Sequence, residues 1–122
     1  MEKSQNIKQK IDEELSKFSA IRKQYNKIIS ARGQLEIQLN ENKIVKEELD
    51  LLSDDTKTFK LIGPALIKID QKEAKDNVNN RIKYITEELK RHDKTMESLC
   101  EQQEKHRENV MKLEQSAKAQ SS

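Results

Sequence analysis

Few side chains in this sequence could do covalent or metal chemistry. The single cysteine is Cys100, the two histidines are His92 and His106, and there is no Trp. A thiol becomes a nucleophile when a neighbouring base or cation favours the thiolate, but the spacing sets no matched His and acid around Cys100, and a disulfide partner is missing. His92 and His106 stand roughly 21 Å apart along a helix rising 1.5 Å per residue, too far to share a metal. No Gly-rich loop followed by Lys-Ser or Lys-Thr is available to cradle phosphate. Catalysis and ATP-driven chemistry have no visible seat, no cofactor or metal is expected, and the chain reads as a non-enzyme. The Lys-rich stretches Lys8 to Lys10 and Lys17 to Lys27 contain or border Asp12, Glu13 and Glu14, so they read as a solvated face.

What remains is apolar contact, and the composition says how it is organised. Only 33% of the 122 residues are hydrophobic and 38% are charged, against roughly 45–50% apolar in ordinary globular domains. A compact globule with a large core of its own is therefore not expected. Two Gly and one Pro leave few places to stop a helix, so the elements must be few and long. Net charge is +2, from 24 basic and 22 acidic residues that are interspersed, and aromatics are 3%. Neither an electrostatic footprint for nucleic acid nor a stacking platform for single strands follows. One Cys and no Asn-x-Ser/Thr sequon suit a reducing, cytoplasmic compartment. The longest apolar run, Leu61 to Ile67, is far short of a membrane span, and Met1 to Lys10 does not resemble a signal peptide.

From Ile7 to Leu49 a heptad frame fits. One seam row is Ile11, Phe18, Tyr25, Arg32, Leu39 and Lys46; the other is Ile7, Glu14, Ile21, Ile28, Leu35, Asn42 and Leu49. Nine of these thirteen positions are apolar, the narrow stripe of a coiled-coil helix, over a helix of about 3–52 and roughly 70 Å. A second unbroken 4-3-4-3 frame runs through Val78, Ile82, Ile85, Leu89, His92, Met96, Leu99, Gln103, His106, Val110 and Leu113, giving a helix over about 74–116. The polar end, 117–122, reads as a frayed tail. Asn42 on the seam either fixes register or is a tolerated polar residue. Gly33, inside the first helix, costs about 1 kcal/mol relative to Ala and either loosens the arm or stands as tolerated drift.

Between the frames the period changes to two. Ser53-Asp54-Asp55 ends the first helix; Phe59 and Leu61 alternate with Thr58, Lys60 and Ile62; Gly63-Pro64 follows; then Ala65, Ile67 and Ile69 alternate with Leu66, Lys68 and Asp70. This is a two-stranded β-hairpin over about 57–70. Alone in water such a hairpin is marginal, and its two unpaired edges lie beside apolar Phe59, Leu61, Ile67 and Ile69. Pairing with hairpins of other chains is its natural remedy, which makes Phe59, Leu61, Ile62, Leu66, Ile67 and Ile69 the expected assembly residues. The fold class is mostly α, a single domain over 1–122: a long antiparallel two-helix coiled coil joined by a hairpin that enters an intersubunit β-assembly. Pairing Leu39 with Ile85, Leu35 with Leu89, Ile28 with Met96, Tyr25 with Leu99 and Ile11 with Leu113 gives more apolar layers than the register one heptad away. It also sets Arg32 opposite His92, a polar layer that costs stability while fixing register.

The stretch Arg32 to Leu49, RGQLEIQLNENKIVKEEL, resembles the first-helix signature of beta-type prefoldin subunits. Phe59 to Lys68, Glu73-Ala74, Val78, Arg81-Ile82 and Ile85 are also similar to that family, most clearly over 31–91, while the outer arms match as coiled-coil pattern. The resemblance implies a heterohexamer of two alpha-type and four beta-type subunits, with each beta-type hairpin entering a β-barrel body. It implies that the far ends of the arms hold unfolded polypeptides such as nascent actin and tubulin, without ATP, for transfer to the cytosolic chaperonin. Client holding needs apolar groups left uncovered where the coil ends, and Ile7, Ile11, Leu15, Val110, Met111 and Leu113 supply them. A coiled-coil scaffold or tether without chaperone activity is the alternative, which has no use for the hairpin. A nucleic-acid binder comes third, opposed by the balanced charge.

Overall fold

A computed structural model describes residues 2–53, 55, 57–62 and 65–121, with Glu2, Leu61, Ile67 and Ser121 described by backbone alone. The Gly63-Pro64 turn and Asp54 of the helix-ending turn lie outside the described residues. Four elements follow in order: α1 (Glu2–Asp50), β1 (Thr58–Ile62), β2 (Ala65–Ile69) and α2 (Gln71–Ser121). Among the described residues no helix is long and apolar enough to cross a membrane.

Local chemistry sets the ends. The N–H groups of Leu51 and Leu52 donate to the carbonyls of Glu48 and Leu49, both at 3.2 Å, the tight i→i+3 closure that often finishes a helix. At the start of α2 the Ala74 N–H donates to the Asp70 carbonyl at 3.0 Å, which makes Asp70, a favoured N-cap type, the capping residue. Glu73 then places an acid in the first turn, where the helix dipole favours it. These groups start α2 at Gln71, three residues before the expected start at 74. The other end also differs from expectation. Residues 117–121 are helical, because Ala117 and Ala119 have the best helix propensity and Lys118 complements the dipole in the last turn.

The chain divides into two compact units, a terminal unit of Met1–Ala31 with His92–Ser122 and a hairpin unit of Arg32–Arg91. In the terminal unit Ile21 and Leu99 are buried, and Ile7, Ile11, Phe18, Tyr25, Ile28, Met96, Val110 and Leu113 are half-buried. In the hairpin unit Leu49, Ile85 and Leu89 are buried, with Leu35, Leu39, Val78 and Ile82 half-buried. Both heptad frames thus mark the packed faces, Lys46 alone being exposed. Burying each Leu or Ile contributes roughly 1.5–3 kcal/mol, so the coil is held by many thin layers rather than one core.

Contacts between the helices are antiparallel and fix the register. In the terminal unit Glu14 meets His106 and Asn109, while Tyr25 meets Cys100. Those contacts fall within about one turn of the pairing that sets Tyr25 on Leu99 and Ile11 on Leu113; a shift of one heptad would carry Tyr25 to His106. Asn42 donates its amide to the Gln38 carbonyl at 2.7 Å, so that amide N–H is used by its own helix.

The hairpin is antiparallel, Thr58 opposite Ile69, Phe59 opposite Lys68, Lys60 opposite Ile67, Leu61 opposite Leu66 and Ile62 opposite Ala65. Residues directly opposite share a face, so Phe59 and Ile69 fall on different faces. The apolar residues of the hairpin are thus divided between both sides of the sheet.

Candidate functional site: exposed apolar surfaces

The first surface is the hairpin. The Thr58 hydroxyl donates to the Ile69 carbonyl at 2.8 Å, pinning the open end of the ladder. The Gln71 amide donates to the Ser53 carbonyl at 2.5 Å, which ties the segment entering β1 to the start of α2. On the face bearing Thr58, Ile69 is half-buried and Ile62 exposed; on the opposite face Phe59 and Leu66 are exposed. A groove of ≈ 640 Å³ opens beside the sheet, lined by Val45, Leu49, Phe59, Ile69, Ala74 and Val78 among others. Two five-residue strands with apolar groups on both faces match a sheet that is covered on both sides. The six expected assembly residues all fall on the two strands; the side chains of Leu61 and Ile67 lie outside what is described.

The second surface belongs to the terminal unit. Of its six expected client-holding residues, Ile7, Ile11, Val110 and Leu113 are half-buried on the seam. Leu15 and Met111 are off it, with 48% and 49% of their area exposed. The frame predicts this division, since Leu15 and Met111 each stand one residue beyond a seam position.

Beside these lies a polar cluster. A ring nitrogen of His106, Nδ1, is 2.5 Å from Oε2 of Glu14, and the Asn109 amide donates to the same oxygen at 3.4 Å. The hydrogen bond from His106 holds the Glu14 carboxyl below its ordinary value, helped by Asn109 and by the charges of His106 and Lys17, against a partial loss of solvent that raises it. The heptad frame gives Glu14 and His106 separately, as polar interruptions of two different helices. The antiparallel pairing that sets Ile11 on Leu113 puts Glu14 opposite Val110 and His106 opposite Phe18, about one turn apart, so the contact between them shows only in the structure. Further along the unit the Tyr25 phenol is held above its ordinary value, chiefly by its hydrogen bond with Cys100. Gln103 brings its Nε2 into the seam, buried and without a hydrogen-bond partner among the described residues. Among the described residues, no three His, Cys, Asp or Glu side chains are gathered so as to hold a metal ion.

This geometry offers contact surfaces, and the comparisons say whose. The family described as "Prefoldin subunit" matches residues 12–117. The chain is 42% identical over 109 residues to prefoldin subunit 6 of Bos taurus, covering 89% of this chain and 84% of that one. It is 43% identical over 115 residues to prefoldin subunit 6 of Arabidopsis thaliana, 94% and 81% being covered, and 39% identical over 102 residues to that of Saccharomyces cerevisiae, at 84% and 90%. In fold it is similar to the crystal structure of the prefoldin beta subunit from Thermococcus strain KS-1, with a TM-score of 0.78 at 17% identity over 84% of this chain and 90% of that one. Two long helices around one short hairpin, with the sequence match running through all of them, place the chain in the prefoldin family of chaperone subunits.

Proposed function

We propose that the chain enters a cytosolic heterohexamer with two alpha-type and three further beta-type prefoldin subunits, its hairpin contributing to a shared β-barrel. The assembled complex holds unfolded polypeptides such as nascent actin and tubulin on the terminal units of its subunits and delivers them to the cytosolic chaperonin. The observation that carries this reading is the hairpin, a two-stranded sheet with exposed Phe59, Ile62 and Leu66. Among the described residues its outer strand edges find no partner strand. A sheet of that size is marginal in water, and strands from neighbouring chains would complete it.

Holding rather than turnover follows from the same surfaces. Leu15 and Met111 offer an unfolded chain modest apolar area, worth roughly 25 cal/mol per Å² covered. Several such patches acting on one client raise the effective concentration and strengthen capture by roughly 10²–10⁴ over a single patch. Release then comes by competition from the chaperonin and needs no catalysis or nucleotide. The tether reading leaves the hairpin without a role. Native mass spectrometry of the chain copurified from its own cells tests assembly: five further small helix-hairpin-helix chains are expected. A homodimer would support the tether.

A further inference from the structure

The hairpin unit carries an apolar row that its own coil does not use. Ile37, Ile44 and Leu51 are 60%, 55% and 86% exposed and recur every seven residues. At 3.6 residues per turn they share one line on the side of α1 turned away from its seam residues Leu35, Leu39, Asn42 and Leu49. The line spans roughly 21 Å and ends at Leu51, whose N–H bond to Glu48 carries the helical turn onward. Glu41 and Glu48 flank it on one side, and Glu36, Lys43, Asp50 and Glu47 on the other, all exposed, five acids to one base. Glu36 pairs with Arg32, whereas Glu41, Glu47 and Glu48 make no ion pair among the described residues. Lys43, at the same heptad position as Glu36, is the one basic residue among these flanks, and Lys46 is a seam position.

We infer that this row is a second docking seam for a helix of a neighbouring, different subunit, one with a heptad apolar row flanked by Lys or Arg. Strict seven-residue spacing suits a helix laid alongside, knobs into holes, whereas an extended client has no such repeat to match. The acidic flanks select the partner. Two copies of this chain docked row on row would bring glutamates against glutamates, and such like-charge contacts are costly, while a basic-flanked helix meets them favourably. The row also adjoins the exposed hairpin, since the chain passes from Leu51 to β1 within a few residues, so one neighbour can cover both. The hairpin then provides affinity common to beta-type subunits, and the row decides which subunit sits beside this one. This inference rests on the proposed assembly.

Two variants and one crosslink test it on the full chain in its complex. Ile37→Ser, Ile44→Ser and Leu51→Ser together should leave the helix signal and melting of the isolated chain unchanged and weaken its retention in the complex about tenfold or more on dilution. Glu41→Lys with Glu48→Lys should weaken retention as well, with recovery as salt rises. A photoreactive benzoylphenylalanine in place of Ile44 should join, in the assembled complex, to a Lys- or Arg-flanked helical peptide of a different subunit. Retention of both variants at the wild-type level overturns the inference and leaves the proposed assembly standing, as does a crosslink to a second copy, to a client or to no subunit. A wild-type chain that enters no complex overturns both.

Discussion

Single residues in this chain matter through what they leave unsatisfied. The amide nitrogen of Gln103 is buried without a hydrogen-bond partner among the described residues, and such a group costs roughly 1–3 kcal/mol. Gln103→Leu should stabilise the chain by about 1–2 kcal/mol, read as a higher thermal or urea midpoint. Gly33 has open space where a Cβ would stand, so its helix cost of about 1 kcal/mol relative to Ala has no packing reason behind it. Gly33→Ala should recover about that amount in the same measurement, and a loss would show that the site needs glycine. Glu14 acts through charge. Its carboxyl is lowered in the folded chain from the ordinary 4.5, so the stability it contributes is present above that value and disappears as pH falls through the folded value. The gap in midpoint between the wild-type chain and Glu14→Gln should be open above about 4.5 and close as acid is added below it. A gap unchanged down to pH 2 would remove the charge argument. Of these features only Gly33 was legible in the sequence, because the environments of Gln103 and Glu14 depend on which residues of the opposite helix face them.

At the scale of elements the sequence was most legible where one period ran without interruption. Both heptad frames became buried or half-buried faces at every position but Lys46, and the change to period two marked the hairpin. Its faces were less legible: alternation gives the side of each residue within one strand, but only the cross-strand register says which sides coincide, and that register set Phe59 and Ile69 apart. The outer row of Ile37, Ile44 and Leu51 escapes the frame for a related reason, since a frame fitted to one seam treats every other position as solvent. Two tests belong here. Cysteines at Leu35 and Leu89 in a Cys100→Ser background should crosslink within one chain under dilute oxidation, as the antiparallel pairing requires; crosslinks found only between chains would favour a tether. Phe59→Asp with Leu66→Asp puts charge on one exposed face of the hairpin. It should release the chain from its complex while the far-UV helix signal stays, and wild-type yield of the complex would move the assembly contact elsewhere.

For the whole molecule, family and fold were readable because the Arg32 to Leu49 stretch and the hairpin carry the prefoldin pattern, whereas the working surface was only partly so. Apolar type and position at the arm ends placed six residues at the client surface; Ile7, Ile11, Val110 and Leu113, seam positions in the frame, are half-buried, leaving Leu15 and Met111 as the most open. Substituting the seam four would therefore weaken the coil as well as any client contact, and could not separate the two. Leu15→Ser with Met111→Ser separates them, since exposed side chains hold little of the coil together. The decisive measurement is light scattering of denatured actin diluted into the assembled complex without nucleotide. The complex must also be made with the equivalent exposed residues of its other subunits changed to Ser, so that avidity does not hide the loss. The wild-type complex should suppress aggregation, and the fully blunted one, intact by native mass spectrometry, should lose most of that suppression. Equal suppression by the blunted complex would contradict client holding at these surfaces, and no suppression by the intact wild-type complex would contradict the chaperone reading itself.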